Sequence, residues 1–113
     1  MIPGFRLFLL FLLLNTASAS AQKVFSVDYA SQADVKVFVT DYASQADLLV
    51  FKVSYESQAG KNDGLWFFTK HASQAGHKVF FTEYASQADV LIHFVKYESQ
   101  AGWKKKEKQA FFY

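Results

Sequence analysis

The sequence has 113 residues, enough for one small domain, and it lacks cysteine, which excludes disulfides, thiolate metal sites and cysteine nucleophiles. The formal net charge is +2; Arg6 lies in the amino-terminal segment, and the remaining eleven basic residues, all lysines, nearly balance ten acids. Because this balance leaves no strongly basic surface, we expect no nucleic-acid partner. Hydrophobic residues make up 51% of the chain and aromatic residues 19%, so a compact core is feasible without disulfides.

Residues 1–21 have the pattern of a secretory signal peptide. Arg6 and the amino terminus supply positive charge, Leu7 to Leu14 is an unbroken apolar run, and two overlapping Ala-Ser-Ala triplets have the form of a cleavage site. The apolar run is too short for a spanning helix, although an uncleaved anchor is the alternative. We therefore expect a mature chain that begins near Ser20 or Gln22, is secreted or periplasmic, and has no membrane contact after cleavage.

The rest of the chain repeats one unit six times. Six copies of Ser-Gln-Ala are separated by steps of 13, 13, 16, 13 and 13 residues. In the second unit the run Val37-Phe38-Val39-Thr40 is β-branched or aromatic, which is typical of a strand. Only a few residues follow each Ser-Gln-Ala, so we expect one turn of α or 3₁₀ helix there. The repeat predicts a mainly β fold with short single-turn helices (α+β), built from six strand–turn units.

The six units form two sets of three, at residues 24–60 and 65–102, offset by 42 residues. The join at residues 61–64 is Lys-Asn-Asp-Gly, which has the composition of a turn. Residues 103–113 hold a basic stretch, expected as a solvated loop or a contact for an anionic surface, and then Ala-Phe-Phe-Tyr, which could form a closing strand. We expect residues 22–113 to be a single repeat domain.

One face of each strand is predicted to line a shared core. Successive side chains in a strand point to opposite faces, so Phe38, Thr40 and Tyr42 share one face in the second unit. Similar aromatic, small and aromatic residues recur at these places in the other units. We therefore expect Phe38 and its equivalent Phe80 to be buried. The opposite face, which begins with Val37, ends polar and is expected to be only partly covered.

The serine of each unit is predicted to cap its helical turn. A serine hydroxyl accepts hydrogen bonds from backbone N–H groups two or three residues later, and an acid at the third position completes a capping box. Six serines in one context cannot all be nucleophiles, and convergence of the aspartates on a cation is the less favoured alternative. The predicted structural caps are Ser31, Ser44, Ser57, Ser73, Ser86, Ser99, Asp34, Asp47 and Asp89.

The most distinctive polar candidates are His71, His77 and His93. His71 stands where other units have tyrosine and His93 where they have phenylalanine, so both are interpreted as tolerated core substitutions. Two histidines brought together could hold zinc, but no carboxylate or third histidine is spaced with them. We therefore assign no catalytic, cofactor-binding or metal-binding residue and expect no cofactor.

Charges just before the repeat tyrosine predict how the two sets of units meet. Opposite charges on neighbouring strands are favourable, and like charges are unfavourable. Strands from the two sets are therefore predicted to alternate in one sheet, which would place acids of the first set near lysines of the second. The residues at this position are Asp28, Asp41 and Ser54 in the first set, and Lys70, Glu83 and Lys96 in the second.

The tandem Tyr-x-Ser-Gln-Ala-Asp/Gly units, the Val-Phe strand openings and the Lys-Asn-Asp-Gly-Leu-Trp-Phe join resemble the Septknot family, small secreted bacterial repeat proteins of unknown function. The resemblance covers residues 23–113, with departures at His71 and His93. It implies a β-rich fold with intertwined halves whose backbone is tied in a deep seven-crossing knot. The spacing alone favours a β-solenoid, and the family supplies no catalytic residue.

These observations predict a secreted structural or binding module of unknown ligand, with no evident catalytic chemistry. The alternative is a small hydrolase, or a metal- or small-molecule-binding protein, that uses a histidine in a groove between the two halves. A single deep pocket that breaks the repeat and gathers His71 or His77 would favour the alternative, whereas uniform units would favour the module. The partner is unknown, and the expected state is a monomer or a homodimer.

Overall fold

The computed structural model describes residues 21–113, so the predicted signal peptide lies almost wholly outside the described residues. Their strands are β1 (Lys23–Ser26), β2 (Val35–Val39), β3 (Leu48–Lys52), β4 (Leu65–Phe68), β5 (His77–Phe81), β6 (Val90–Phe94) and β7 (Gly102–Trp103). Short 3₁₀ helices follow at Ala30–Gln32, Ala43–Gln45, Glu56–Gln58, Ala72–Gln74, Ala85–Gln87, Glu98–Gln100 and Lys106–Phe112. The predicted β-rich fold with single-turn helices is confirmed. Between residues 21 and 113 we find no helix with the length and apolarity needed to cross a membrane.

Six of the strands close into a parallel barrel. Around the barrel they follow the order β4, β1, β5, β2, β6 and β3, and β3 pairs with β4 to complete the ring. Strands from residues 23–52 therefore alternate with strands from residues 65–94, and the predicted interleaving is confirmed. The seventh strand, β7, pairs antiparallel with the start of β3. Because each strand of the ring has a neighbour on both sides, closure leaves few unpaired backbone groups.

The barrel interior is filled by the strand face that begins with valine. Except at the last residue of each strand, this face is almost inaccessible to solvent, whereas Phe38 and Phe80 lie on the outer face and are only half-buried. The predicted core face is therefore wrong. Its repeat tyrosines, including Tyr42, are exposed. The interior residues of the strands with at most 1% exposure are Val24, Val35, Val37, Leu48, Val50, Trp66, Val79, Val90 and Ile92.

The outer phenylalanines are covered by the crossover segments that join the strands. The segment between β1 and β2 packs on β5, and the segment between β2 and β3 packs on β6. Each of these crossovers thus lies over the strand between the two that it joins. A parallel sheet needs cover on both faces, and here the crossovers supply the outer layer. This layer explains why both faces of each strand are apolar in the sequence.

An aspartate near the end of three crossovers clamps the chain to the neighbouring strand. The Asp47 N–H donates to the Leu91 carbonyl at 2.7 Å, and Asp47 Oδ2 accepts from the Leu91 N–H at 2.9 Å. Asp34 makes the same two bonds with a residue of β5, and Asp89 with a residue of β2. The carboxylate takes the place of a strand carbonyl at the start of each ladder. The capping-box role predicted for the three aspartates is therefore wrong.

The repeat serines are not N-caps, because each 3₁₀ helix begins one residue before its serine. The N-cap is the repeat tyrosine, or His71, and no serine side chain hydrogen-bonds to the start of these helices. The backbone N–H of Tyr42 instead donates to Thr40 Oγ1 at 3.3 Å, and that of Tyr55 donates to Gln58 Oε1 at 3.1 Å. The serines that this corrects, all exposed, are Ser31, Ser44, Ser57, Ser73, Ser86 and Ser99.

We expect Ser44→Ala to change the free energy of unfolding by less than about 0.5 kcal/mol, as for other exposed surface substitutions. Thr40→Val is the comparison, because the buried Thr40 hydroxyl donates to Gln45 Oε1 at 3.0 Å and accepts from the Tyr42 N–H. Its loss should cost about 1 kcal/mol. Urea unfolding measures both variants, and a larger loss for Ser44→Ala than for Thr40→Val would restore the capping interpretation.

The last residues close the barrel end at which the strands begin. Phe112 is 1% exposed, and its ring centroid lies 5.3 Å from Trp66, 5.3 Å from His77 and 6.0 Å from Trp103. Phe112 ends the 3₁₀ helix Lys106–Phe112, so the prediction that the last residues form a closing strand is wrong. We call residues 104–113 the plug. Phe112 fills the barrel end, where it completes the apolar core.

Lysines of the plug bind the same aspartate that clamps β3. Asp47 is buried, with Lys105 Nζ 3.6 Å from its Oδ1 and Lys108 Nζ 3.4 Å from its Oδ2. The Asp47 carbonyl also accepts from the Lys104 N–H at 2.8 Å. The basic stretch is therefore held against the barrel and is not the solvated loop that its composition suggested.

Candidate functional site

The opposite end of the barrel, where the strands finish, is open to solvent. Each strand ends on an inward-facing residue at the same repeat position, and none of the six is fully buried. A phenylalanine from β4, β5 or β6 alternates with a residue of different character from β1, β2 or β3. In order around the barrel these residues are Phe68, Ser26, Phe81, Val39, Phe94 and Lys52.

The three phenylalanines form an aromatic floor at this end. The Phe68 ring centroid lies 6.3 Å from that of Phe81 and 6.4 Å from that of Phe94. Lys52 lies between Phe94 and Phe68 in the ring of strands, and its Nζ is 4.8 Å and 5.9 Å from their respective centroids. A cation within about 6 Å of an aromatic face is attracted by the ring quadrupole. The floor therefore presents π faces that already hold one ammonium group.

Polar residues surround the floor, two positions beyond the end of each strand, and five of the six are charged. All are exposed, and three acids stand consecutively between two lysines. Among residues 21–113 none of these charged residues forms an ion pair. The strands of the two sets alternate as predicted, but the acid–lysine ion pairs expected from that alternation are not formed. In order around the barrel the residues are Lys70, Asp28, Glu83, Asp41, Lys96 and Ser54.

A ring of aromatic side chains follows the polar residues just described. Each of its members lies three residues after the end of a strand. Five of its six members are tyrosines, each between 61% and 68% exposed, and the sixth is His71, which is also exposed. Such exposure is unusual for so many large side chains in equivalent places. The five tyrosines, which we call the tyrosine ring, are Tyr29, Tyr42, Tyr55, Tyr84 and Tyr97.

Two grooves with equivalent linings open at this end. The groove between the ends of β1 and β5 has a volume of about 410 Å³, and the one between β3 and β4 about 400 Å³. Their volumes are similar, but their charges differ, so we call them the acidic groove and the basic groove. Acidic-groove residues include Asp28, Phe81, Glu83 and Tyr84, and their basic-groove equivalents are Ser54, Phe68, Lys70 and His71.

The structure does not bring the three candidate histidines together. His71 lines the basic groove at the open end, and His77 is buried at the plugged end, where its Nε2 lies 3.4 Å from the Tyr113 carbonyl oxygen. His93 is half-buried on the outer face of β6, where its Nδ1 lies 2.8 Å from the Thr40 carbonyl oxygen. In the described part of the chain no group of three or more histidines and acids is placed to hold a metal ion.

Sequence reasoning missed the aromatic floor and Lys52. Both belong to the strand face that was interpreted as only partly covered. One signal was present: at a single repeat position the first set of units has Ser26, Val39 and Lys52, whereas the second has phenylalanine throughout. A systematic difference at one position of two otherwise matching sets indicates that this position, the last residue of each strand, has a different role in the two halves of the chain.

No curated protein and no solved structure matches the chain. The model of one family, described as the 7(1) septoil knot domain, matches residues 21–104, which include all seven strands and the open end of the barrel. Because that match covers most of the sequence, the chain belongs to the Septknot family, that of the septoil knot domain.

Proposed function

We propose that this protein is a secreted binding module without catalytic chemistry of its own, and that its binding surface is the open end of the barrel. The observation that carries the proposal is the tyrosine ring, whose members are 61–68% exposed at equivalent places around that end. The repeat serves the fold elsewhere with buried valines and clamping aspartates. The tyrosines contribute little to packing, so their recurrence needs another explanation.

Tyrosine is well suited to binding. Its ring offers a large, rigid contact area, its hydroxyl forms hydrogen bonds, and few rotatable bonds are immobilised when a partner binds. Tyrosine is also enriched among the residues that dominate binding energy at interfaces. A ring of five tyrosines around an aromatic floor and charged groups gives one continuous surface with both apolar and polar contacts.

The test is a triple variant, Tyr42→Ser, Tyr84→Ser and Tyr97→Ser, screened with the unmodified chain on arrays of polysaccharides, glycans and peptides. We expect the unmodified chain to bind at least one class of target, and the triple variant to lose at least about tenfold in affinity with its unfolding midpoint preserved. The control is Tyr113→Ser, because Tyr113 is 69% exposed at the plugged end. Equal binding by the triple variant would contradict the proposal.

The basic groove supports a second candidate function, a hydrolase or a small-molecule binder that uses His71. Ser54 and Glu56 of the first half line this groove together with His71 of the second half. Glu56, however, is engaged by Lys23, with Nζ to Oε2 at 3.0 Å. The substitution His71→Tyr restores the repeat residue and discriminates the two candidates. It should leave the function of a binding module intact and abolish that of a histidine-dependent site.

Two finer features belong to the proposal. A deep seven-crossing knot is supported by the description of the family and by strands that alternate between the two halves of the chain. Secretion is supported by the sequence pattern of residues 1–21, nearly all of which lie outside the described residues.

A further inference from the structure

We propose that the open end of the barrel binds an alkylammonium group, seated against Phe68 and Phe81 above Ser26 and bordered by Asp28 and Glu83 of the acidic groove. This inference rests on the proposed function, because it names a ligand class for part of the same binding surface. The observation behind it is a comparison of two equivalent places at the open end of the barrel. At each place two phenylalanine rings of the aromatic floor lie side by side, and at one of them the rings already contact the ammonium group of Lys52.

Lys52 shows what the arrangement accepts. Its ammonium lies 4.8 Å from the Phe94 centroid and 5.9 Å from the Phe68 centroid, so one cation contacts the π faces of two rings. The residue that ends the intervening strand supplies this cation. We call the space between two neighbouring phenylalanines of the floor a notch, and the Lys52 notch is filled by the chain itself.

The equivalent notch between Phe68 and Phe81 is not filled in this way. Its rings are 6.3 Å apart with an interplanar angle of 27°, and the intervening strand ends on Ser26, which is small and exposed. The Ser26 side chain has one methylene group and a hydroxyl where that of Lys52 has four methylene groups and an ammonium. The third notch, between Phe81 and Phe94, has Val39 at this position, which occupies more of the space and carries no charge.

The notch at Ser26 also has more negative charge around it than the notch at Lys52. Asp28 and Glu83 line the acidic groove, and neither forms an ion pair within residues 21–113. Lys70, two residues after Phe68, borders both this notch and the Lys52 notch, but the Lys52 notch has Ser54 and Lys96 in place of the two acids, beside the cation that the chain supplies. Carboxylates next to half-buried aromatic rings attract an ammonium electrostatically, while its alkyl groups contact the accessible parts of the rings. Tyr84, which also lines the acidic groove, adds a further aromatic side chain.

The test uses choline chloride as the probe, in an NMR titration of the isotope-labelled chain. We expect saturable shifts confined to the acidic groove and the Ser26 notch. The neutral isostere 3,3-dimethylbutan-1-ol has the same shape without the charge, and we expect it to bind at least about tenfold more weakly. Sodium chloride at matched concentration controls for ionic strength. Equal binding of choline and the alcohol, or shifts at the plugged end, would overturn the inference.

Two variants follow from the internal comparison. Ser26→Lys copies the Lys52 arrangement and should abolish choline binding, because the chain then supplies its own cation. The double variant Asp28→Asn, Glu83→Gln should weaken choline binding by about tenfold. Glu107→Gln, which removes an exposed acid from the plug at the opposite end, should leave it unchanged. Circular dichroism and thermal unfolding establish that each variant is folded.

The failure of this inference can be distinguished from that of the proposed function. If choline does not bind, or binds Ser26→Lys as well as the unmodified chain, while the tyrosine triple variant still loses its array targets, only the ammonium site is refuted. If the triple variant retains every target while choline binds as expected, the ammonium site remains and the wider binding surface is refuted.

Discussion

Replacing Phe112 by alanine is expected to lower the free energy of unfolding by about 3–5 kcal/mol, the range for large-to-small changes of buried aromatic residues. Phe112 is 1% exposed and contacts Trp66, His77 and Trp103 at the end of the barrel core. Its removal leaves a cavity that the closed ring of strands cannot easily collapse to fill. Because two tryptophans adjoin the cavity, tryptophan fluorescence during guanidinium unfolding measures the change directly.

Phe111 provides the matched control. It is the preceding residue of the same 3₁₀ helix but is 44% exposed, so Phe111→Ala should cost less than about 1 kcal/mol. Similar losses for the two variants would show that the plug does not insert Phe112 into the barrel. The core would then be closed at this end in some other way.

Replacing Asp47 by alanine is expected to cost about 3 kcal/mol. The change removes the acceptor of the Leu91 N–H and leaves that group unsatisfied, and it removes the carboxylate that holds Lys105 and Lys108. The two lysine side chains are 57% and 34% exposed, so solvent screens part of the ion-pair contribution. The value is therefore placed at the lower end of the range for broken buried pairs.

Asp34 separates the two contributions. It makes the same backbone clamp, with the Lys78 N–H donating to its Oδ2 at 2.9 Å, but it is exposed and forms no ion pair within residues 21–113. Asp34→Ala should therefore cost about 1 kcal/mol. Asp47→Asn, which retains an oxygen acceptor for the Leu91 N–H, should recover part of the loss. Urea unfolding at low and high salt measures all three, and equal losses at positions 34 and 47 would contradict the role of the plug lysines.

These expectations assign different tasks to the two ends of the barrel. At the plugged end, Phe112 and the lysines around Asp47 complete the core, so substitutions there act on stability. At the open end, the tyrosine ring is exposed whereas the aromatic floor is half-buried, so substitutions in the tyrosine ring should act on binding with little effect on stability. The fold can remain stable with one end of the barrel open, even without disulfides, because each of the six strands pairs with a neighbour on both sides.

Several features were determined by the sequence itself. The β-branched and aromatic runs specify strands, and the short Ser-Gln-Ala segments leave room for only single helical turns, because both depend on local backbone preferences. The contrast between Asp28 and Asp41 in one set and Lys70 and Lys96 in the other predicted the interleaving of the strands correctly. The family was recognised from the repeated motif, which covers nearly the whole domain.

Only the tertiary structure decided which strand face lines the core and what the repeat aspartates do. Val37 and Phe38 are both apolar, and a barrel covered by crossovers buries side chains on both faces, so alternation alone does not identify the inner one. Asp47 fits a local capping box in sequence, but its partner is Leu91, 44 residues away. The contacts at the open end likewise depend on residues that are distant in sequence. Lys52 meets Phe68 and Phe94 because closure makes neighbours of strands that are distant in sequence, and that pairing depends on contacts that no local pattern contains.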